Sequence, residues 1–435
     1  MNRATTRRDF LGQTGAVIAA GYFVNPVAAE DSKSPNERLN IAAVGTSGRA
    51  GSDIQGVASQ NIVAIADIDA NFLGQAASRY PGARKYEDFR VMLEKEADRI
   101  DAVVVGTPDH SHAPAAAMAL RLKKHVYCEK PLTHTVYESR VLTELAAKNQ
   151  LVTQMGTQIH AGANYRRVVE LVQSGAIGEI REVHVWAGAK YSGAKFTSGT
   201  PAPAHVNWDL WLGPAVERPY STGVHPFKWR SFWDYGTGAL GDFGCHYMDL
   251  AHWALELKHP TRVSAEGPPV EAVSTPTWTI AHYEYPQRGK LPPVKLTWYD
   301  SGKQPPLLAK LRDKKGQPVK MGSGQLFVGK EGMILSNYSS HRLFPEEKFA
   351  DFKPPKQTLP PSVGHHREWV DAIKTGSTTT CNFAYSGALT EAVLLGTVAY
   401  RSGETIDWDG KKFKANNAPA AQQLLHKEYR KGWTL

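Results

Sequence analysis

Through the first third of the chain, short runs of β-branched and other apolar residues recur, each followed by a helical stretch. The runs read LNIAAVG, NIVAIADID, DAVVVGTPD, HVYCEKP and LVTQMGTQ, with helices expected between them, among them 86–96 and 113–122. Apolar strands that do not alternate with polar positions are covered on both faces. Separated by helices, they specify parallel strands of a doubly wound α/β sheet. This pattern fills residues 38–160.

The texture changes after residue 160. A helix over 165–174 leads into EIREVHVWAG, and a stretch rich in proline and tryptophan follows over 190–234. Beyond it come VSAEGP, TWTIAHYEY, VKLTWYD and QLFVGKEGMILS, longer amphipathic strands with hairpin-like spacing. They predict a large open, mostly antiparallel sheet with one face covered by helices, in an α+β second domain over 161–435. Residues 301–324 read as an exposed loop, and C-terminal helices are expected from about 365 to 400.

The N-terminus adds an address. TTRRDFL precedes the short apolar run GQTGAVIAAGYF, and the small residues Val27 and Ala29 stand where a signal peptidase cuts. Residues 1–29 therefore read as a twin-arginine signal, removed after Ala29, which places the mature protein in the periplasm or otherwise outside the cytoplasm. That route implies the twin-arginine export machinery as a partner, carrying a folded protein with its cofactor inside. No run of about 18 apolar residues follows, so no stable membrane anchor is expected. Loss of Arg3, Arg7, Arg8 and Asp9 with the signal takes the formal charge from +9 to +7. The remaining cations are dispersed without an aromatic-interleaved stripe, which argues against nucleic acid as a partner. Cys128, Cys245 and Cys381 are too few for a disulfide framework. Cys245 beside His246 lacks further ligands at zinc spacing, so no metal is expected.

The first strand ends in Gly45-Thr46-Ser47-Gly48-Arg49-Ala50. Against the dinucleotide fingerprint, Gly45 supplies the tight turn and Ala50 an accepted last position, while Ser47 replaces the middle glycine and Gly48 offsets part of that loss. The second strand ends at Asp67, 22 residues after Gly45. A carboxylate there accepts hydrogen bonds from ribose hydroxyls and repels a 2′-phosphate, which favours NAD over NADP. Asp242 and His246, four residues apart, would share one face at a helix start. Imidazole suits proton transfer near neutrality, and a lysine beside a carbinol places positive charge where an oxyanion develops.

In AAVGTSGRAG, VVVGTPDHSH, YCEKPLTHT, MGTQIH and WDYGTGALGDFGCHYMD, the chain resembles the Gfo/Idh/MocA oxidoreductases, which include glucose–fructose oxidoreductase and inositol dehydrogenase. The motifs occur in the family's order over essentially the whole mature chain, and DLWLGPAVERPY and GWTL are similar to an exported bacterial subgroup. The resemblance implies a Rossmann-like NAD-binding domain followed by a substrate-binding and oligomerisation domain. It implies Lys130 of the EKP motif, Asp242 and His246 as the catalytic set, with His246 as general acid/base. Gly45, Ser47, Gly48, Arg49, Asp67, Thr107, Pro108, Asp109, Glu129, Lys130 and Gln158 would bind the cofactor. His160, Tyr165 and Asp249 are expected against substrate. Trp208, Trp211, Trp229 and Trp233 with Tyr220 form an aromatic segment suited to sugar C–H faces or to packing. The implied reaction is hydride transfer between a tightly held nicotinamide and a hydroxyl or keto carbon of a sugar, polyol or glycoside, in a homo-oligomer. Export favours a retained cofactor, which admits a redox-neutral cleavage of a glycoside by oxidation, elimination and reduction. A non-catalytic sugar-binding protein is the remaining alternative, supported by Ser47 alone.

Overall fold

The computed structural model describes residues 38–191, 194–197 and 199–435; the signal-like segment 1–29 lies outside them. In the first part, strands β1 (Asn40–Val44), β2 (Asn61–Ala66), β3 (Arg84–Tyr86), β4 (Ala102–Val105), β5 (His125–Glu129) and β6 (Thr153–Gly156) form one sheet in the order β3-β2-β1-β4-β5-β6. Every neighbouring pair is parallel. Between them run α1 (Gly48–Gly56), α2 (Ala70–Arg79), α3 (Phe89–Glu96), α4 (Asp109–Arg121) and α5 (Val136–Lys148). The five apolar runs became strands. β3 is an addition, a polar three-residue strand with no hydrophobic signature. The helix expected from 113 begins at Asp109, so His110 and His112 are buried helix residues rather than loop residues. The order reverses between β1 and β4, and in an open parallel sheet that reversal leaves a crevice at the strands' carboxyl ends.

The second part holds α6 (Ala163–Gln173), β7 (Ile180–Ala187), α7 (Trp208–Leu212), α8 (Gly238–Tyr247), α9 (Asp249–Ala254), β8 (Arg262–Glu266), β9 (Ile280–Tyr285) and β10 (Val294–Asp300). After them come β11 (Gly324–Gly329), β12 (Met333–Ser336), β13 (His341–Phe344), α10 (His365–Thr375), α11 (Phe383–Ser402), β14 (Ile406–Asp409), β15 (Lys414–Ala415) and α12 (Pro419–Leu424). The nine strands run β13-β12-β11-β7-β10-β9-β8-β14-β15. Neighbours are antiparallel except β7 and β10, which pair in parallel from Lys295 opposite Glu182 to Asp300 opposite Ala187. The inner face presents Val183, Val185, Ala281, Tyr283, Leu296 and Trp298 to a core shared with α8 and α11.

Two expectations change. Residues 301–324 are not simply an exposed loop: Leu308, Leu311 and Val319 are buried against Trp186, Leu326 and Leu335 on the outer face of the sheet. Three apolar side chains within that polar segment cover a sheet surface that water would otherwise meet. The C-terminal helical region divides into α10 and α11, and α10 crosses back to the first sheet. Its Trp369 and Val370 join the core beneath Ile41, Val104 and Tyr127. Between the two helices, Thr379 donates to the carbonyl of Thr153 at 2.6 Å, and the Met155 amide donates to Cys381 O at 3.0 Å. Among the described residues no helix is long and apolar enough to cross a membrane.

Candidate active site

The crevice at the reversal point opens toward α8 and forms a cleft of about 1070 Å³. Its floor is the turn after β1. Gly45 has φ of 83°, donates to Ala66 O at 2.9 Å, and a Cβ there would lie 2.9 Å from Gly106 O. Gly106 in turn leaves room for α1, since its own Cβ would meet that of Ala50 at 2.6 Å. These two close approaches seat the helix start over the strand ends. Gly48 follows with φ of 54°. Ser47 is the N-cap residue of α1 in extended backbone, φ −115° and ψ 171°, and its hydroxyl makes no capping bond. The first-turn amides of α1 thus remain donors for an anion, assisted by the helix dipole. An extended backbone needs no glycine, so the departure at Ser47 leaves the turn intact.

Asp67 closes this end of the cleft. One carboxylate oxygen accepts from Thr46 N and Thr46 Oγ1, both at 2.8 Å, and the other from Asp69 N at 3.0 Å. Burial raises its pKa, opposed by these bonds. An ionised carboxylate has about four acceptor positions, so a ribose hydroxyl still finds one. The chemistry of this donor and acceptor set fits a dinucleotide: free helix amides for the pyrophosphate, an acid for the ribose.

At the other end, β5 delivers Glu129 and Lys130. The Lys130 ammonium bonds Asp242 Oδ1 at 2.8 Å and Asp242 O at 2.9 Å. Asp242 lies in the middle of α8 rather than at its start, so both it and His246, one turn on, project from a continuous helix. Arg230 approaches the same Asp242 oxygen at 3.3 Å. Burial works against the charge of Lys130, but Asp242 and Glu129 outweigh it and raise its pKa. Burial likewise opposes the Asp242 carboxylate, and Lys130 and Arg230 overcome it and lower its pKa. His246 is pushed down to about 3 by burial and then by the Lys130 charge, so its imidazole is neutral at ordinary pH. Its Nδ1 is buried without a partner among the described residues, and its ring lines the cleft.

Thr107 and Pro108 line the cleft beside Lys130. Asp109 opens α4, is buried, and accepts from Thr237 Oγ1 at 2.9 Å. Burial and then Asp242 raise its pKa to about 7. Glu129 faces a polar cluster behind Lys130. It accepts from Gln158 Nε2 at 2.6 Å and from Arg49 Nε at 3.3 Å. Arg49 Nη2 also bonds Asp53 at 2.7 Å, as does His366 Nε2 of α10 at 2.9 Å. Burial and the neighbouring Asp53 carboxylate raise Glu129 to about 8.

The three residues expected against substrate stand elsewhere. His160 and Asp249 are fully buried behind α8, joined by His160 Nδ1 and Asp249 Oδ1 at 2.9 Å. His160 stacks on Trp253 with centroids 4.0 Å apart, and Tyr385 donates to Asp249 at 2.7 Å. Tyr165 is also buried, donating to His246 O at 3.1 Å and accepting from Gln325 Nε2 at 2.6 Å. They form a layer beneath the cleft instead of its lining, because His160 and Tyr385 close on Asp249 while Tyr165 closes on the α8 backbone and Gln325. Of the aromatic segment, Trp211 and Trp229 reach the cleft. Trp208 stacks on Trp211 at 4.5 Å with Tyr220 edge-on, and Trp233 lies under Arg401.

Sequence reading missed Arg230, Tyr191, Phe243, Gly106, Asp53 and His366. Phe243 sits inside the recognised motif between Asp242 and His246, so its place was open to inference. Arg230 and Tyr191 lie in irregular chain with no periodicity to orient them. Among the described residues no cluster of His, Cys, Asp or Glu could hold a metal, and all three cysteines are buried and free.

A glycine turn on a parallel sheet, an acid on the next strand, and a Lys–Asp–His cluster contributed by the end of β5 and by α8 define a two-domain protein whose cleft fits a dinucleotide. The chain belongs to the Gfo/Idh/MocA oxidoreductase family: residues 39–157 match its NAD-binding Rossmann fold and residues 162–291 its C-terminal alpha/beta domain. Inositol 2-dehydrogenase of Rubrobacter xylanophilus is 32% identical over 151 residues, 34% of this chain and 43% of that protein. Levoglucosan dehydrogenase of Pseudarthrobacter phenanthrenivorans is 27% identical over 198 residues, 44% of this chain and 42% of that protein. The chain thus spans less than half the length of these curated relatives. The fold is also that of GenD2 from gentamicin A biosynthesis in complex with NAD, at a TM-score of 0.58 and 19% identity over 87% of this chain and 99% of that one.

Proposed function

We propose that this protein is an exported enzyme that moves a hydride between a retained NAD and a hydroxyl or keto carbon of a sugar, polyol or glycoside. The observation that carries the reading is the meeting of Lys130 from the first sheet with Asp242 and His246 from α8 in one cleft with the dinucleotide turn. The dehydrogenase relatives, which bear the names of an inositol and an anhydrosugar enzyme, support the substrate class.

A bound nicotinamide supplies the hydride acceptor or donor. The chain's residues do the rest. Lys130, held by Asp242, keeps a positive charge beside the substrate oxygen and favours its alkoxide-like form. The neutral imidazole of His246 takes the hydroxyl proton on oxidation and returns it on reduction. Gly45, Ser47, Gly48, Arg49 and Asp67 hold the adenosine and pyrophosphate side. Thr107, Pro108, Asp109, Glu129 and Gln158 bound the nicotinamide side. His160, Tyr165 and Asp249 support α8 from beneath.

The twin-arginine signal over 1–29 directs the folded, loaded protein out of the cytoplasm, and retention of the cofactor follows from the lack of a free pool there. The homo-oligomer expected from the family resemblance would form through the second sheet. A second reading keeps the same residues: oxidation, elimination and re-reduction of one glycoside, with no net redox change.

Native mass spectrometry of protein from the exported fraction tests retention, and a screen of sugars and polyols for a change in nicotinamide absorbance tests the chemistry. The expected result is a bound dinucleotide that one sugar class reduces, with turnover abolished in Lys130→Ala. Full turnover in that variant sinks the catalytic assignment. Net hydrolysis without accumulation of a keto sugar selects the redox-neutral route.

A further inference from the structure

At the catalytic end of the cleft the fixed charges do not balance. Lys130 and Arg230 face one ionised carboxylate, and both address the same oxygen of Asp242, at 2.8 Å and 3.3 Å. Glu129 turns away toward Arg49 and Gln158. The buried Asp109 carboxyl is bonded to Thr237, and burial and Asp242 raise it to about 7, so it offsets only part of the excess. His246 is neutral. An oxidised nicotinamide would add a further positive charge.

Arg230 is also held in a way that leaves one side of it unused. Its guanidinium lies 4.1 Å from the Trp229 ring and 5.0 Å from that of Phe227, with Tyr191 at 5.7 Å. Nε is spent on Asp242, and Nη1 makes a long contact of 3.4 Å to Phe227 O. Nη2 has no partner among the described residues, and the side chain stays 21% exposed in the cleft wall. Aromatic faces fix the plane of the fork, and a fixed planar fork is matched to a carboxylate, which it can bind through two parallel N–H groups. An uncompensated charge of about one unit fits a monoanion better than a phosphate of nearly two.

We infer that Arg230 is a specificity-determining anion subsite and that the substrate class of this cleft is a sugar bearing a carboxylate, a uronic acid or its glycoside. The inference rests on the sugar oxidoreductase reading above and narrows it. The stacked Tyr191 and Phe243, 5.7 Å apart and 20° from coplanar, form the apolar wall along which the sugar ring would lie.

The test is binding to NADH-loaded protein by calorimetry, with glucuronate, glucose and glucose 6-phosphate as probes, in the wild type, Arg230→Gln and Arg230→Lys. A charge-assisted bond to a carboxylate predicts that glucuronate binds roughly 10- to 100-fold more tightly than glucose. Arg230→Gln should bring the ratio of glucuronate to glucose affinity close to one, whatever it does to both together, and Arg230→Lys should keep part of that ratio. Equal binding of glucuronate and glucose by the wild type overturns the subsite. So does an equal loss of both sugars in Arg230→Gln, which would mark Arg230 as a support for Asp242. Tighter binding of glucose 6-phosphate than of glucuronate overturns the carboxylate assignment. Turnover distinguishes the layers: reduction of the nicotinamide by neutral sugars without an anion preference defeats the subsite alone. An Arg230-dependent anion preference with no nicotinamide change from any sugar acid defeats the oxidoreductase reading and leaves the subsite standing.

Discussion

Replacement of Lys130 by methionine separates the two duties of its ammonium. The pair it forms with Asp242 is enclosed, with side chains 12% and 5% exposed. Removing one partner of a buried pair costs about 3–5 kcal/mol, because the other charge is left without compensation. Here Arg230 stays 3.3 Å from the same oxygen, which brings the expected loss below that range, to roughly 2–3 kcal/mol. At roughly 2–4 °C per kcal/mol for domains of 150–250 residues, melting should fall by about 4–12 °C. The double variant Lys130→Met with Asp242→Asn removes the buried carboxylate as well but takes the partner from the partly exposed Arg230, so part of that loss should return. Activity should not return, since the charge beside the substrate oxygen is gone in both. Calorimetric melting of the two variants, with sugar-dependent nicotinamide reduction measured alongside, is the assay. A Lys130→Met protein melting within about 1 °C of the wild type would refute the reasoning, as would a double variant no more stable than the single one.

Three further outcomes are expected. Gly106→Ala drives a methyl to 2.6 Å from the Ala50 Cβ; overpacking of about 1–3 kcal/mol at the start of α1 should weaken NADH binding at least tenfold by fluorescence titration. Stability measured by denaturant titration should peak near pH 6.5. His110, His246, His252 and His365 are held near 3 by burial, so their contribution is complete above their unfolded value of about 6.5 and is lost as pH falls below it. Asp109 and Glu129, raised to about 7 and about 8, act in the opposite sense, and their contribution declines as pH rises through those values; a stability that climbs steadily to pH 9 would contradict this. His160→Ala, which breaks the buried bond to Asp249, should lower stability by about 2–4 kcal/mol and shift kcat more than KM; a rise in KM alone would return His160 to the substrate's side.

The parallel sheet was legible because each of its long strands is apolar throughout, and β3 was not because Arg84, Lys85 and Tyr86 pair through backbone alone. The second sheet's strands were legible from their amphipathic spacing, but the parallel contact of β7 with β10 was not. Their partnership joins segments more than a hundred residues apart and leaves no local mark. Lys130, Asp242 and His246 were found through motifs. Arg230 sits among tryptophans whose orientation only the folded chain decides. His160, Tyr165 and Asp249 drew attention as polar residues near motifs, and burial then gave each of them an internal partner.

Because α10 returns to lodge Trp369 beneath the first sheet while α11 spans α5 and α8, the polypeptide ties its two halves together more than once. A protease cutting in the exposed stretch 351–364 would nick the backbone without liberating a fragment. The halves would co-elute under native conditions and part only in denaturant, so the cofactor-binding half is not a module that can be excised at residue 160.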